Sequence, residues 1–169
     1  LLGGKMPVDV YERKELTMET IIFATGNEGK LKEIREILKD LPYQVISLKE
    51  AGVDVEIVED GTTFEENAIK KVTTIMNATG KMVMADDSGL EVDYMDKQPG
   101  VYSARFLGED TSYDVKNQYI IDQLKDAKGS ERSARFVCSI AFGVPGKGVI
   151  TTTGTMEGEI AYDIKGANG

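Results

Sequence analysis

The chain has 169 residues, a formal net charge of −9, 41% hydrophobic and 29% charged residues, one cysteine and no histidine. That balance fits one soluble globular domain with a real core, with no apolar run long enough to span a membrane and no secretory signal peptide. The acidity argues against a duplex nucleic-acid binder, and the lack of histidine leaves any hydrolysis to carboxylates and hard metal ions.

Residues 1–17 do not begin with Met and precede a more natural start at Met18. They read as an N-terminal extension, poorly ordered unless docked, with the domain proper running over residues 18–169. Residues 21–24 predict a short buried strand, followed by Thr25-Gly26-Asn27-Glu28-Gly29-Lys30. Leu31, Ile34, Ile37 and Leu38 then recur at helical spacing until Pro42. Strand, glycine turn and helix start make an anion site, because the first-turn N–H groups of a helix are unpaired and Lys30 adds a cation. A plain strand-to-helix turn is an equal reading, and Leu31 stands where a Walker A loop needs Ser or Thr.

Val45 and Ile46 suggest a second strand and residues 55–58 a third, leading to Glu59-Asp60-Gly61-Thr62-Thr63-Phe64-Glu65-Glu66-Asn67. Thr63 with Glu66, or Thr62 with Glu65, fits a capping box. Phe64, Ala68, Val72, Ile75 and Met76 mark an amphipathic helix on which Asn67 and Lys71 share a face. These two are either a solvated pair or, with Glu59, a carboxylate and a cation at the mouth of a helix.

Met82-Val83-Met84-Ala85 begins as a strand buried on both faces and runs into Asp86-Asp87-Ser88-Gly89. Carboxylates at the end of such a strand need a cationic answer, which Mg²⁺ holding a polyphosphate would supply. A polar turn is the plain alternative. Residues 99–106 turn and extend, with Arg105 clamping phosphate or pairing with an acid. Thr111 with Asp114 caps a helix carrying Val115, Tyr119, Ile120 and Leu124. Residues 134–142 and 149–155 read as strands joined by Pro145-Gly146-Lys147-Gly148, and residues 159–162 as another short strand. Cys138 falls in an apolar run as a small buried hydrophobe, and a lone cysteine fits a reducing cytoplasm. Alternating and then clustered strands give an α/β class with α+β character and a mixed sheet.

Four stretches in this order, Phe23 to Lys30, Glu59 to Ala68, Ala85 to Leu90 and Pro99 to Phe106, resemble the inosine triphosphate pyrophosphatase family. Arg135 to Cys138 and Gly154 to Gly158 add to the likeness. The resemblance implies an elongated mixed sheet flanked by helices, two lobes with a central cleft, and a homodimer. It implies Mg²⁺-dependent hydrolysis of non-standard purine nucleoside triphosphates such as dITP and XTP to the monophosphate and pyrophosphate, in the cytoplasm. By position, Thr25, Gly26, Asn27, Glu28, Gly29, Lys30, Lys71 and Ser88 would bind the substrate. Glu59 and Asp87 would serve the metal, and Asp87 would also take the proton of the attacking water.

The family continues past this point into aromatic and Ser-His-Arg segments that shape the base pocket, whereas this chain stops at Gly169. A C-terminally truncated domain with poor base selectivity is therefore expected. A pyrimidine-directed pyrophosphatase of the septum-associated type and a catalytically dead nucleotide-binding fragment are the competing readings.

Overall fold

The structure, a computed structural model, describes residues 18–166; the predicted extension over residues 1–17 lies outside them. The elements follow the order β1 (Glu19–Phe23), α1 (Glu28–Leu38), β2 (Tyr43–Ser47), α2 (Phe64–Thr79), β3 (Met82–Val92), β4 (Gln98–Pro99), α3 (Tyr113–Gln123), β5 (Ser133–Val144) and β6 (Gly148–Glu159). One sheet runs β2-β1-β3-β5-β6, with β4 beside the far end of β3. β1 is parallel to both β2 and β3, whereas β5 is antiparallel to β3 and β6. This is the mixed α/β sheet that the order of elements predicts.

β3 is central because its core-facing residues leave nothing for water to solvate. Val83, Ala85 and Val92 are fully buried, and Ala85 lies opposite the buried Ala141 of β5. α2 covers the Val83 and Ala85 face with Ala68, Val72 and Ile75, a stripe at helical spacing, and each large apolar side chain so buried contributes about 1.5–3 kcal/mol. The helix starts where the Thr63 side chain accepts the Glu66 N–H and stops at Gly80, whose left-handed φ of 63° brings its N–H to the Met76 carbonyl. Of the two capping pairs it is the first that supplies the cap bond. The Glu66 carboxylate goes to the N–H and hydroxyl of Thr62.

Several local expectations are corrected. Residues 55–58 form no strand, because side chains rather than a neighbouring strand satisfy the adjoining backbone. The Glu59 carbonyl accepts from Arg105 Nη2 at 3.2 Å, and the Gly61 N–H donates to Asn67 Oδ1 at 2.8 Å. Residues 100–105 coil into a 3₁₀ helix instead of extending. Thr111 does not cap α3: Ser112 occupies that position, and the Thr111 hydroxyl donates to the Leu107 carbonyl. Glu159 ends β6, and no separate strand follows it; the Ile160 N–H donates to the Arg132 carbonyl. Cys138 is half-buried, opposite Ser88. Burial, reinforced by the charge of Asp86, pushes its thiol above the ordinary range.

The 3₁₀ helix Gly100–Arg105 lies against β3 at one glycine. A Cβ on Gly89 would stand 2.4 Å from Ser103 Oγ and 2.6 Å from the Gly100 carbonyl oxygen. Ser103 uses that closeness, accepting the Leu90 N–H at 2.9 Å and donating to the Gly100 carbonyl at 2.6 Å. Gly89→Ala should therefore lower stability by about 1–3 kcal/mol through overpacking, read as a lower urea midpoint at unchanged m-value.

At the far end of β3, Arg135 donates to Asp93 at 2.9 and 3.0 Å and to Glu157 at 2.9 Å. Those bonds, with one from Lys97, hold the Asp93 carboxyl down at about 2, below its ordinary 3.8. A depressed carboxylate stabilises the fold above its unfolded pKa and ceases to do so as the pH falls through the folded one. Stability contributed by Asp93 should thus be complete above pH 4 and drain away toward pH 2. Acid unfolding of Asp93→Asn should lack that segment of the pH profile.

Candidate active site

Along one edge of β3, β1 pairs only with Met82 to Met84 and β4 only with Glu91 and Val92. Among the described residues, no strand pairs with residues 85–90 on that side. A cleft of about 730 Å³ opens over this bare stretch. Asp86-Asp87-Ser88-Gly89 thus lies within a continuous strand rather than at the end of one, which corrects the sequence-based expectation.

Neighbours on a strand point to opposite faces, so the two carboxylates are separated by the pleat. Asp86, 6% exposed, and Ser88 share one face, where Lys30 Nζ donates to Asp86 Oδ2 at 2.5 Å and to Ser88 Oγ at 2.8 Å. Asp87 meets α2 on the other. Asn67 Nδ2 donates to its Oδ2 at 3.0 Å, and Lys71 Nζ lies 3.5 Å from its Oδ1. Lys71 also reaches Glu59 Oε2 at 2.8 Å and the Asp86 carbonyl at 3.0 Å, where it replaces the missing strand partner.

Asn67 and Lys71 share a helix face, as their spacing predicts, but Asn67 is buried rather than solvated. Its amide orientation follows from its neighbours. Oδ1 accepts the Gly61 N–H, so Nδ2 must face the carboxylate.

The loop after β1 is organised by its own side chains. Thr25 Oγ1 accepts the Asn27 N–H at 3.1 Å, and Asn27 Oδ1 accepts those of Gly29 and Lys30 at 2.8 and 3.2 Å. Two of the first-turn donors expected to await an anion are therefore occupied by the helix cap itself, and the cation Lys30 is what the loop presents. Thr25, Gly26, Asn27, Lys30, Glu59, Lys71, Asp87 and Ser88 all line the cleft. Glu28 and Gly29 are not among its lining residues. Arg105 is not either: it donates to the Glu59 carbonyl and lies 4.9 Å over the Tyr102 ring, and among the described residues it pairs with no acid.

Sequence reasoning missed two groups. Asp86 is the fixed partner of Lys30, a role that strict alternation along the strand could have suggested. Lys116, which the pattern of α3 does not single out, is 5% exposed and lines the cleft, while Val115 beside it is 55% exposed. The buried stripe is Lys116, Ile120 and Leu124, three positions at a spacing of four.

Glu59 and Asp87 direct oxygens at the same ammonium, and among the described residues no group of three or more acidic, Cys or His side chains is placed to hold a metal ion by itself. Two carboxylates completed by phosphate oxygens and water are the donor set that Mg²⁺ takes, rather than an all-protein cage. The residues present fit that ion.

The model of the Ham1 family matches residues 21–169. The dITP/XTP pyrophosphatase of Bacillus licheniformis is 45% identical over 152 residues, covering 90% of this chain and 78% of its own. That of Geobacter sulfurreducens is 43% identical over 90% of this chain and 76% of its own. Among solved structures, a HAM1 protein from Coxiella burnetii superposes with a TM-score of 0.82 at 38% identity, over 90% of this chain and 78% of that one. A nucleoside-triphosphatase/dITP/XTP pyrophosphatase from Mycobacterium abscessus gives 0.78 at 33% identity, over 89% and 78%.

Proposed function

The chain belongs to the Ham1 family, and from that premise we propose that it is a nucleoside triphosphate pyrophosphatase acting on non-standard purine nucleotides such as dITP and XTP. The observation that carries the reading is Asp87. Its carboxylate is held by Asn67 and Lys71 beside Glu59, on a strand edge that faces the cleft.

In this reading the polyphosphate lies between Lys30 and Lys71. Both ammonium groups are paired with protein carboxylates, and both exchange part of that pairing for phosphate oxygens. Glu59 and Asp87 would hold Mg²⁺, which when bound neutralises charge on the phosphates. Asn67 pins Asp87 Oδ2, so the carboxylate is aimed before substrate arrives. Asp87 takes the proton of the water that attacks the α-phosphorus, and the products are the monophosphate and pyrophosphate. Ser88, beside Lys30, contacts the substrate on the opposite face of the strand. Leu90 and Phe136, paired across β3 and β5, add apolar surface to the cleft for the nucleoside.

Among the described residues no helix is long and apolar enough to cross a membrane. A cytoplasmic homodimer with no nucleic-acid partner completes the proposal. Incubation with Mg²⁺ and dITP, followed by separate assays for dIMP and pyrophosphate, tests the activity. Equimolar release of both supports it; intact dITP would reduce the chain to a nucleotide binder, and release of inorganic phosphate would assign a different bond.

A further inference from the structure

Lys116 is a buried cation that the chemistry proposed above does not use. Its stem occupies an apolar position of α3, one turn before Ile120, and its ammonium donates to the Ala104 carbonyl at 2.7 Å. The Tyr113 ring lies 5.4 Å from the same nitrogen. Among the described residues it makes no ion pair, although the chain carries 29 acidic residues and a net charge of −9. The two other lysines of the cleft are each placed on a carboxylate. Withdrawing an ammonium from water is costly, and one carbonyl and one ring face offset that cost only in part. An ammonium has three donors, and among the described residues a single protein acceptor is on it.

We infer that Lys116 is a third phosphate-binding lysine, reaching the cleft from α3 to hold the pyrophosphate portion of the substrate and then the pyrophosphate product. This rests on the pyrophosphatase reading of the same cleft. The favoured ligand is an anion rather than a base carbonyl, because what the site lacks is countercharge. A buried position inside the apolar stripe also restricts the side chain beforehand, so less rotamer freedom remains to be lost when a phosphate arrives.

The experiment compares wild type, Lys116→Gln and Lys116→Arg by calorimetric titration with pyrophosphate and, separately, with dIMP, both with Mg²⁺. Lys116→Gln should bind pyrophosphate about ten- to a hundredfold more weakly, the loss of one charge-assisted bond. It should raise the KM for dITP in proportion, leave dIMP affinity unchanged and keep kcat within about twofold. Lys116→Arg, which retains the charge, should recover part of the loss. In wild-type protein carrying ¹³C-labelled lysine, the Lys116 ε-methylene resonance should move on adding pyrophosphate and stay still with dIMP, a reading that requires no variant to fold. Weakened dIMP binding with unchanged pyrophosphate binding would place the amine on the nucleoside and overturn the inference. A lower Tm with both affinities intact would leave it as a tie to Ala104 only. Failure of wild type to bind pyrophosphate would also overturn it. Failure to cleave dITP with pyrophosphate binding intact would instead strike the activity proposed above.

Discussion

Asp87→Asn is expected to lower turnover of dITP by about a thousandfold or more, with the fold retained. The substitution keeps the side-chain shape inside a site that Asn67 and Lys71 already define. It removes the negative charge on which proton transfer and metal binding both depend in the proposed mechanism. The cost to folding is small. The introduced amide can still offer an oxygen to Asn67 Nδ2, and Lys71 keeps Glu59 and the Asp86 carbonyl as acceptors. A loss of about 1 kcal/mol, the worth of one imperfect hydrogen bond, is the expected scale. Pyrophosphate release at saturating dITP gives the first quantity and a urea titration the second. Turnover within tenfold of wild type in the folded variant would remove Asp87 from the chemistry.

Lys30→Ala is expected to raise the KM for dITP by about ten- to a hundredfold, the weight of a charged phosphate contact. From the helix start alone, no effect on folding would be foreseen. The structure adds one, because Asp86 is buried and Lys30 is its cation at 2.5 Å. Removing one member of such a pair leaves a carboxylate without its counterion. Lys30 is about one-third exposed, so water screens the pair and the expected loss is about 1–3 kcal/mol rather than that of a fully buried pair. Lys30→Ala combined with Asp86→Asn separates the effects. The double variant should regain most of the stability and none of the substrate affinity. Recovery of the KM in the double variant would mean that Lys30 serves only Asp86.

Which parts of this site were legible in the sequence follows from how far each inference had to reach. Lys30 stands next to a glycine turn, and Asn67 and Lys71 are four residues apart, so local geometry alone puts each at a helix start or on one helix face. The apolar stripe of α2 likewise announces its own buried side. The strand assignment at residues 55–58 failed because alternation describes a pleat but says nothing about whether an edge is free to accept it. Lys116 was invisible for a related reason. On α3, Val115 and Tyr119 look like the inner face, and only packing against Val92 and Ala134 rotates the helix so that a lysine turns inward. The split of Asp86 and Asp87 across the sheet could be read only after the strand was known to continue through them.

The bare edge of β3 also governs when the site comes into being. Lys30 meets Asp86 and Ser88 across 56 and 58 residues of chain, and β5 must arrive from beyond α3 to fix the pleat that keeps Asp86 and Asp87 apart. α1 and α2 depend on contacts within a turn or two and can form early, whereas these pairings must first overcome the entropy of closing long loops. A folding intermediate with helices formed and β5 undocked would hold every residue named in the chemistry and none of their arrangement. Catalytic competence therefore appears late on the folding route, as a property of the completed sheet.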